Sequence, residues 1–140
     1  MKRLVLKPEL MVCDADEADS DSIVERFMRE ARIVANLNHK NIVTVYDVNV
    51  HDGYHYIAME YIEGHDLRWI LEQCRERDVR MPIELALYIT ILLASALDYA
   101  HKKRDFDNRD LGLVHRDVSP QNVLISSDGE IKLCDFGIAK

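Results

Sequence analysis

The spacing of apolar residues changes several times along the chain, and each change marks an element. Leu4, Val5 and Leu6 form a short strand-like run in "RLVLK", and the acidic, aperiodic "PELMVCDADEADSD" after it reads as solvated loop. Ser22 and Glu25 have capping-box spacing, and Ile23, Phe27, Val34 and Leu37 then recur on one helical face, which predicts a helix over about Ser22 to Leu37. Glu30 lies on or beside that face and reads by itself as a rim residue. "NIVTVYDVNV" and "YHYIAMEYI" are β-branched and aromatic runs joined by "HDG", the pattern of an antiparallel hairpin with both strands buried. Asp66 caps a short helix through about Arg77, and Pro82 opens a long one from Ile83 to about Lys103. "RDFDNRDLG" breaks the helical period, and "NVLIS" and "EIKLC" around the turn "SDG" predict a closing hairpin. The order of elements predicts an α+β chain, a small sheet-based lobe followed by a helical one.

Composition narrows the classes. A length of 140 residues, 48% of them hydrophobic, suits one modest domain or two small lobes. The 25 acidic residues outweigh 18 basic ones, for a net charge of −7, and no Lys/Arg cluster marks a phosphate-backbone footprint, so nucleic acid is not expected as a partner. Cys13, Cys74 and Cys134 form no CxxC pair and suit reduced thiols in a cytoplasmic protein. The basic opening "MKRLVLKPEL" has no long apolar stretch behind it and is not a secretory signal. The charge-free run from Leu85 to Leu97 falls short of the roughly 20 residues of a spanning helix and reads as a buried helix, so no membrane segment is expected. His51 and His55 have the i, i+4 spacing of a helical metal site but fall in a turn and a strand, which argues against one.

The chemistry is concentrated in "GLVHRDVSPQNVLISSDGEIKLCDFGIAK". Asp117 and Asn122 precede the closing hairpin and Asp135 follows it, so folding back at the turn returns Asp135 close to Asn122. Carboxylate and amide oxygens suit Mg²⁺, a hard cation that takes one or two protein ligands and completes its shell with water and substrate phosphates. Asp117, flanked by His115 and Arg116 and lying outside the strand, is placed to orient an incoming hydroxyl and accept its proton.

The arrangement resembles the protein kinase family, whose catalytic loop H-R-D-x-x-x-x-N and metal-binding D-F-G are present as "HRDVSPQN" and "DFG". The joint match in order, with a hairpin between, is far more specific than either triplet alone. "FMREARIVANLNHKNIVTVYDV" looks like the family's αC helix and following strand, which puts Glu30 where it would pair with the strand-three lysine. "YIAMEYIEGHDL" looks like the hinge between lobes, with Met59 as gatekeeper and Glu60, Tyr61 and Ile62 offering backbone groups to an adenine ring. The resemblance further implies Lys2 as the phosphate-contacting lysine, Leu124 and Asp135 at the nucleotide, and Asn122 and Asp135 as Mg²⁺ ligands. It also implies Asp117 and Arg116 in the catalytic set and a packing spine of Val34, Val45, His115 and Phe136. The implied fold is a two-lobed kinase fold with residues 1–60 in the first lobe, 61–65 at the hinge and 66–140 in the second. The implied cofactors are ATP and Mg²⁺, and the implied partner is a protein carrying a Ser/Thr hydroxyl.

Departures from the family's pattern matter as much. Ser119 stands where serine/threonine kinases usually carry a lysine, which removes a cation from the transferring phosphate. The link "HKKRDFDNRDLGLVHRD" is longer than usual, and about Asp105 to Leu111 reads as a surface excursion. No G-x-G-x-x-G precedes Lys2 and no A-P-E follows Lys140, so the expectation is a truncated kinase domain: a partial first-lobe sheet with αC, then the first helices and catalytic hairpin of the second lobe. The wording is similar to bacterial serine/threonine kinases of the eukaryotic type. Two functions follow as expectations: part of an ATP-dependent protein serine/threonine kinase, inactive as an isolated piece, or a pseudokinase or interaction module that transfers nothing.

Overall fold

The computed structural model describes residues 4–6, 28, 31–51, 54–104 and 107–136. Lys2, Glu30, Cys13, the start expected for the first helix and the Asp52–Gly53 turn lie outside them. The chain divides into two compact units, with Thr44–Tyr61 in the first and Asn38–Val43 with Ile62–Gly137 in the second.

In the first unit, residues 31–34 are helical, and Ala31, Val34 and Leu37 are buried as their spacing requires. Strands β1 (Leu4–Leu6), β2 (Val45–His51) and β3 (Tyr54–Glu60) form an antiparallel sheet in the order β1-β3-β2. The central strand β3 buries Ala58. The expectation that both hairpin strands are buried fails for β2, an edge strand in this sheet that leaves Tyr46 44% and Val50 46% exposed. A break in register between Val45 and Asp47 accompanies it.

The run "NIVTVYDVNV" is also not one strand. Asn41–Val43 belongs to the second unit, where Ile42 bridges Leu133 in parallel, Val43 N–H donates to the Leu133 carbonyl at 2.9 Å, and Leu133 N–H donates to the Asn41 carbonyl at 2.9 Å. Asn41 Nδ2 adds a buried bond to the Ile131 carbonyl at 2.8 Å. Backbone partners, rather than the β-branched composition, decide where these residues go.

The second unit is built on a sheet of order β4-β5-β6, with β4 at Gly64–Asp66, β5 at Val123–Ser126 and β6 at Ile131–Leu133. β4 carries no sequence signal for a strand. It pairs with β5 because Gly64 has no side chain: a Cβ there would collide with the Ile125 carbonyl oxygen. Asp66 ends β4 and caps helix α1 (Leu67–Glu76), accepting from Trp69 N–H at 2.7 Å. Helix α2 (Ile83–His101) follows Pro82 and rests on β6 through the face that buries Ile89, Ala96 and Ala100.

The rest of α2 corrects the expectation of a buried helix. Ile83 is 73%, Leu87 57% and Ile91 65% exposed, because one short strand covers only one stripe of an otherwise apolar cylinder. By length and composition alone α2 is also sufficient to cross a membrane, the only such helix among the described residues.

Two outcomes are expected. Gly64→Ala should destabilise the protein by about 1–3 kcal/mol, because the obstacle is backbone and cannot rotate away; an unchanged melting temperature would show that β4 does not pair with β5. The double change Leu87→Glu, Ile91→Lys should lower binding of a hydrophobic dye while shifting stability by no more than about 0.5 kcal/mol. A loss of several kcal/mol would show that this face is covered.

Candidate functional site

The closing hairpin positions the chemistry. Its turn is made by Gly129, whose φ of +85° suits glycine, with Gly129 N–H donating to the Ser126 carbonyl at 3.0 Å and Glu130 N–H to Ser126 Oγ at 3.0 Å. The register Val123↔Leu133 then sets the start of β5 beside the end of β6. Val123 and Leu133 are almost completely buried, so the pairing is clamped by packing as well as by hydrogen bonds.

Four hydrogen bonds organise the preceding loop and fasten it to this hairpin. Cys134 N–H donates to the Asn122 carbonyl at 2.9 Å. Asn122 Nδ2 donates to the Asp117 carbonyl at 2.9 Å, closing the loop between them. His115 Nε2 donates to the Cys134 carbonyl at 2.9 Å, and its Nδ1 accepts from Asp117 N–H at 3.3 Å. These bonds require the neutral Nε2–H tautomer, and burial of the imidazole pushes its pKa below the usual 6.5 against the opposing pull of the Cys134 carbonyl and of Asp117 and Asp135. The ring packs on Phe136, centroids 4.5 Å apart.

The structure therefore gathers the backbones of Asp117, Asn122 and Cys134, with Asp135 next in line, around one junction. Arg116 (φ +63°) and Asp135 (φ +56°), one in each motif, sit in the left-handed region. For a residue such as arginine this is strained, and it persists because the neighbouring bonds leave the backbone no alternative. Both residues are exposed and Asp117 is half-buried.

The donor set suits a hard divalent cation. With Asn122 Nδ2 turned to the Asp117 carbonyl, the amide oxygen is the atom presented on the other side, and the Asp135 carboxylate follows the residue bonded to Asn122. No cluster of three His, Cys, Asp or Glu side chains that could hold a metal ion is found among the described residues. His51 and His55 lie on β2 and β3.

The other expected positions are distributed between the units. In the first, Met59 is half-buried opposite Val5 and Val45, and Glu60 N–H is committed to the Thr44 carbonyl at 2.9 Å while its carboxylate accepts from Thr44 N–H at 2.7 Å. Tyr61 is exposed at the boundary of that unit. In the second, Ile62 is half-buried and Leu124 is a half-buried β5 residue opposite Lys132 and Asp66. In the sequence Cys134 is one of three scattered thiols with no assigned role, yet its two backbone groups join His115 to Asn122. Backbone groups are common to every residue, so no residue type could have signalled this.

A cleft of about 540 Å³ lies elsewhere, lined by His39, Tyr99, Lys102, Lys103 and Arg104 among others. Lys102 is paired with Asp98 and Arg104 with Asp110, as expected of a solvated helix end, and the cleft holds none of the motif residues.

The family model described as the Protein kinase domain matches residues 11–140. A probable serine/threonine-protein kinase of Clostridium perfringens is 43% identical over 122 residues, covering 87% of this chain and 16% of its own length. The serine/threonine-protein kinase PrkC of Bacillus subtilis is 40% identical over 89% of this chain and 17% of its own, and the tyrosine-protein kinase MasK of Myxococcus xanthus is 36% identical over 87% and 19%. Among solved structures, the kinase domain of Mycobacterium tuberculosis PknI superposes with a TM-score of 0.72 at 35% identity, covering 99% of this chain and 50% of that one. The chain thus spans about a sixth of the length of these curated relatives and half of the solved kinase domain.

The His115 geometry carries a pH signature. The unfolded chain takes up a proton near pH 6.5 that folded His115 resists, so its contribution to stability is fully present above that value and declines as pH falls below it. The fall in melting temperature from about pH 7.5 to about pH 5.5 should be smaller in His115→Phe than in the unaltered protein. His39, whose pKa is likewise lowered by burial and by Lys40, is present in both and cancels. Equal falls would show that His115 is not held neutral.

Proposed function

This chain belongs to the protein kinase family, and from that premise we propose that it carries the metal-binding and proton-accepting part of an ATP-dependent protein serine/threonine kinase, transferring phosphate from Mg·ATP to a protein hydroxyl. The observation that supports this best is the Asn122 junction, which ties Asp117 to the strand end that carries Asp135. In this reading Asn122 Oδ1 and the Asp135 carboxylate hold Mg²⁺, which supplies the positive charge that offsets the charge on the phosphoryl oxygens. The Asp117 carboxylate orients the acceptor hydroxyl and takes its proton. Arg116 flanks the base. Met59, Glu60, Tyr61, Ile62 and Leu124 enter as adenine and nucleotide contacts on the strength of the resemblance alone. Lys2 and Glu30, outside the described residues, enter as the phosphate-positioning pair on the strength of the resemblance. Catalysis on this plan is positioning and electrostatics, the terms that dominate phosphoryl transfer.

The choice of serine and threonine over tyrosine follows the relatives named as serine/threonine kinases, and the three scattered cysteines support a reducing, cytoplasmic setting. Ser119, which offers no cation to the transferring group, favours a second reading, a nucleotide-binding pseudokinase.

In the full-length protein, Asp117→Asn should lower phosphate transfer to a Ser/Thr substrate by about 10²–10⁴-fold with Mg·ATP binding preserved, and Asp135→Asn should remove Mg²⁺-dependent nucleotide binding. Undiminished transfer by Asp117→Asn would refute its role as base, and nucleotide binding without transfer in the unaltered protein would favour the pseudokinase.

A further inference from the structure

The cleft at the end of helix α2 carries more hydrogen-bond donors than its own residues use. It lies within the second unit, between His39 and the last turns of α2 with the residues that follow. Tyr99 stands between the two sides: its phenol oxygen accepts from Asn38 N–H at 3.1 Å and from Lys103 Nζ at 3.3 Å, which leaves its own O–H proton to donate. The His39 ring lies 5.2 Å from the Tyr99 ring, and its Nδ1 accepts from Asn41 N–H at 3.1 Å, so Nε2 carries the proton. Burial and the nearby Lys40 push the His39 pKa down, in keeping with that neutral ring. Lys103 is half-buried with its ammonium 5.6 Å from the Tyr99 centroid, and among the described residues it has no carboxylate partner. The Asp98 carboxylate that also lines the cleft is engaged by Lys102 at 2.8 Å. Among the described residues, the Tyr99 and Ser95 hydroxyl protons, His39 Nε2–H and the remaining Lys103 protons are left without an acceptor. On a convex surface water satisfies such donors separately, but here they converge on one cavity.

Charge and size narrow the ligand. Donors without acceptors suit an anion rich in oxygens, and Lys102, Lys103 and Arg104 outnumber the Asp98 carboxylate at this spot on a chain whose net charge is −7. The volume of about 540 Å³ is far more than a bare inorganic ion fills and lies within the roughly 300–1,000 Å³ of sites for organic ligands. Ser95, Lys102 and Arg104 are exposed, so the cleft is open enough to admit a side chain carried on a protein segment. Resting on the function proposed above, whose product is such a segment, we propose that this cleft binds a phosphorylated serine or threonine side chain of a protein. Lys103 supplies the charge-assisted bond to the phosphate oxygens, Tyr99 O–H and His39 Nε2–H add neutral donors, and the two rings wall the aliphatic part of the side chain. The cleft holds none of the motif residues, so its occupant does not compete with nucleotide.

The test uses the full-length protein without nucleotide and a fluorescent Gly/Ala-flanked peptide carrying one phosphoserine, with its unphosphorylated twin as control and inorganic phosphate as competitor, read by anisotropy. The phosphopeptide should bind about tenfold tighter than its twin, and Lys103→Met should weaken it about tenfold while leaving Mg·ATP affinity unchanged. Lys103→Arg, which keeps the charge, should retain most of the binding. Ser95→Ala, at an exposed helical position that alanine suits, should weaken it about threefold. Unaltered phosphopeptide affinity in both Lys103→Met and Ser95→Ala would overturn the inference, as would equal binding of the two peptides or displacement by inorganic phosphate at the peptide's own affinity. Phosphate transfer by a protein that binds no phosphopeptide would overturn the inference and leave the proposed function standing. Phosphopeptide binding that is weakened by Lys103→Met, in a protein that transfers no phosphate, would overturn the proposed function and leave the ligand of the cleft standing.

Discussion

The bond from Cys134 N–H to the Asn122 carbonyl is the constraint on which the site depends. It fastens the residue just after β6 to the residue just before β5, and through Asn122 Nδ2 the fastening extends to Asp117. His115 closes the circuit from the other side by donating to the Cys134 carbonyl. Each bond adds only about 0.5–1.5 kcal/mol net, but breaking one strands a group within a packed interior, and that penalty is what makes the arrangement decisive. The near-complete burial of Val123, Leu133 and His115 keeps water from substituting for the lost partner.

The same circuit explains why two non-glycine residues hold left-handed backbone. Arg116 and Asp135 lie immediately beside His115 and Cys134, whose groups are committed to the network, so the turn in the chain falls on the motif residues themselves. Strain located in this way fixes the direction of a side chain without a large apolar core around it. The phosphoryl transfer proposed for this site would need that more than enclosure, since such chemistry is the alignment of a base, a metal and a phosphate.

Helix α2 shows a different constraint. It supports the hairpin through the stripe of Ile89, Ala96 and Ala100 on β6, and the apolar residues elsewhere on its surface take no part in that support. Its composition is that of a buried helix and its environment in the second unit is that of a helix covered on one side only. The two units also divide the run that begins at Asn41, because the backbone of Asn41–Val43 finds partners on β6 that the following residues do not.

Much of this was legible beforehand because side-chain type and spacing carry it. The Asp66 cap, the start of α2 after Pro82, the Gly129 turn and the grouping of Asp117, Asn122 and Asp135 around one hairpin all follow from residues whose preferences are local. What the residues alone determined is therefore the chemistry available and the elements that present it. Tertiary structure decided the rest: that Gly64–Asp66 becomes a strand, that β2 is an exposed edge, that α2 is covered on one stripe, and that a cysteine backbone joins the two motifs. These depend on backbone N–H and C=O groups and on what happens to lie opposite, and every residue offers those groups alike, so only the assembled neighbours can distinguish among them.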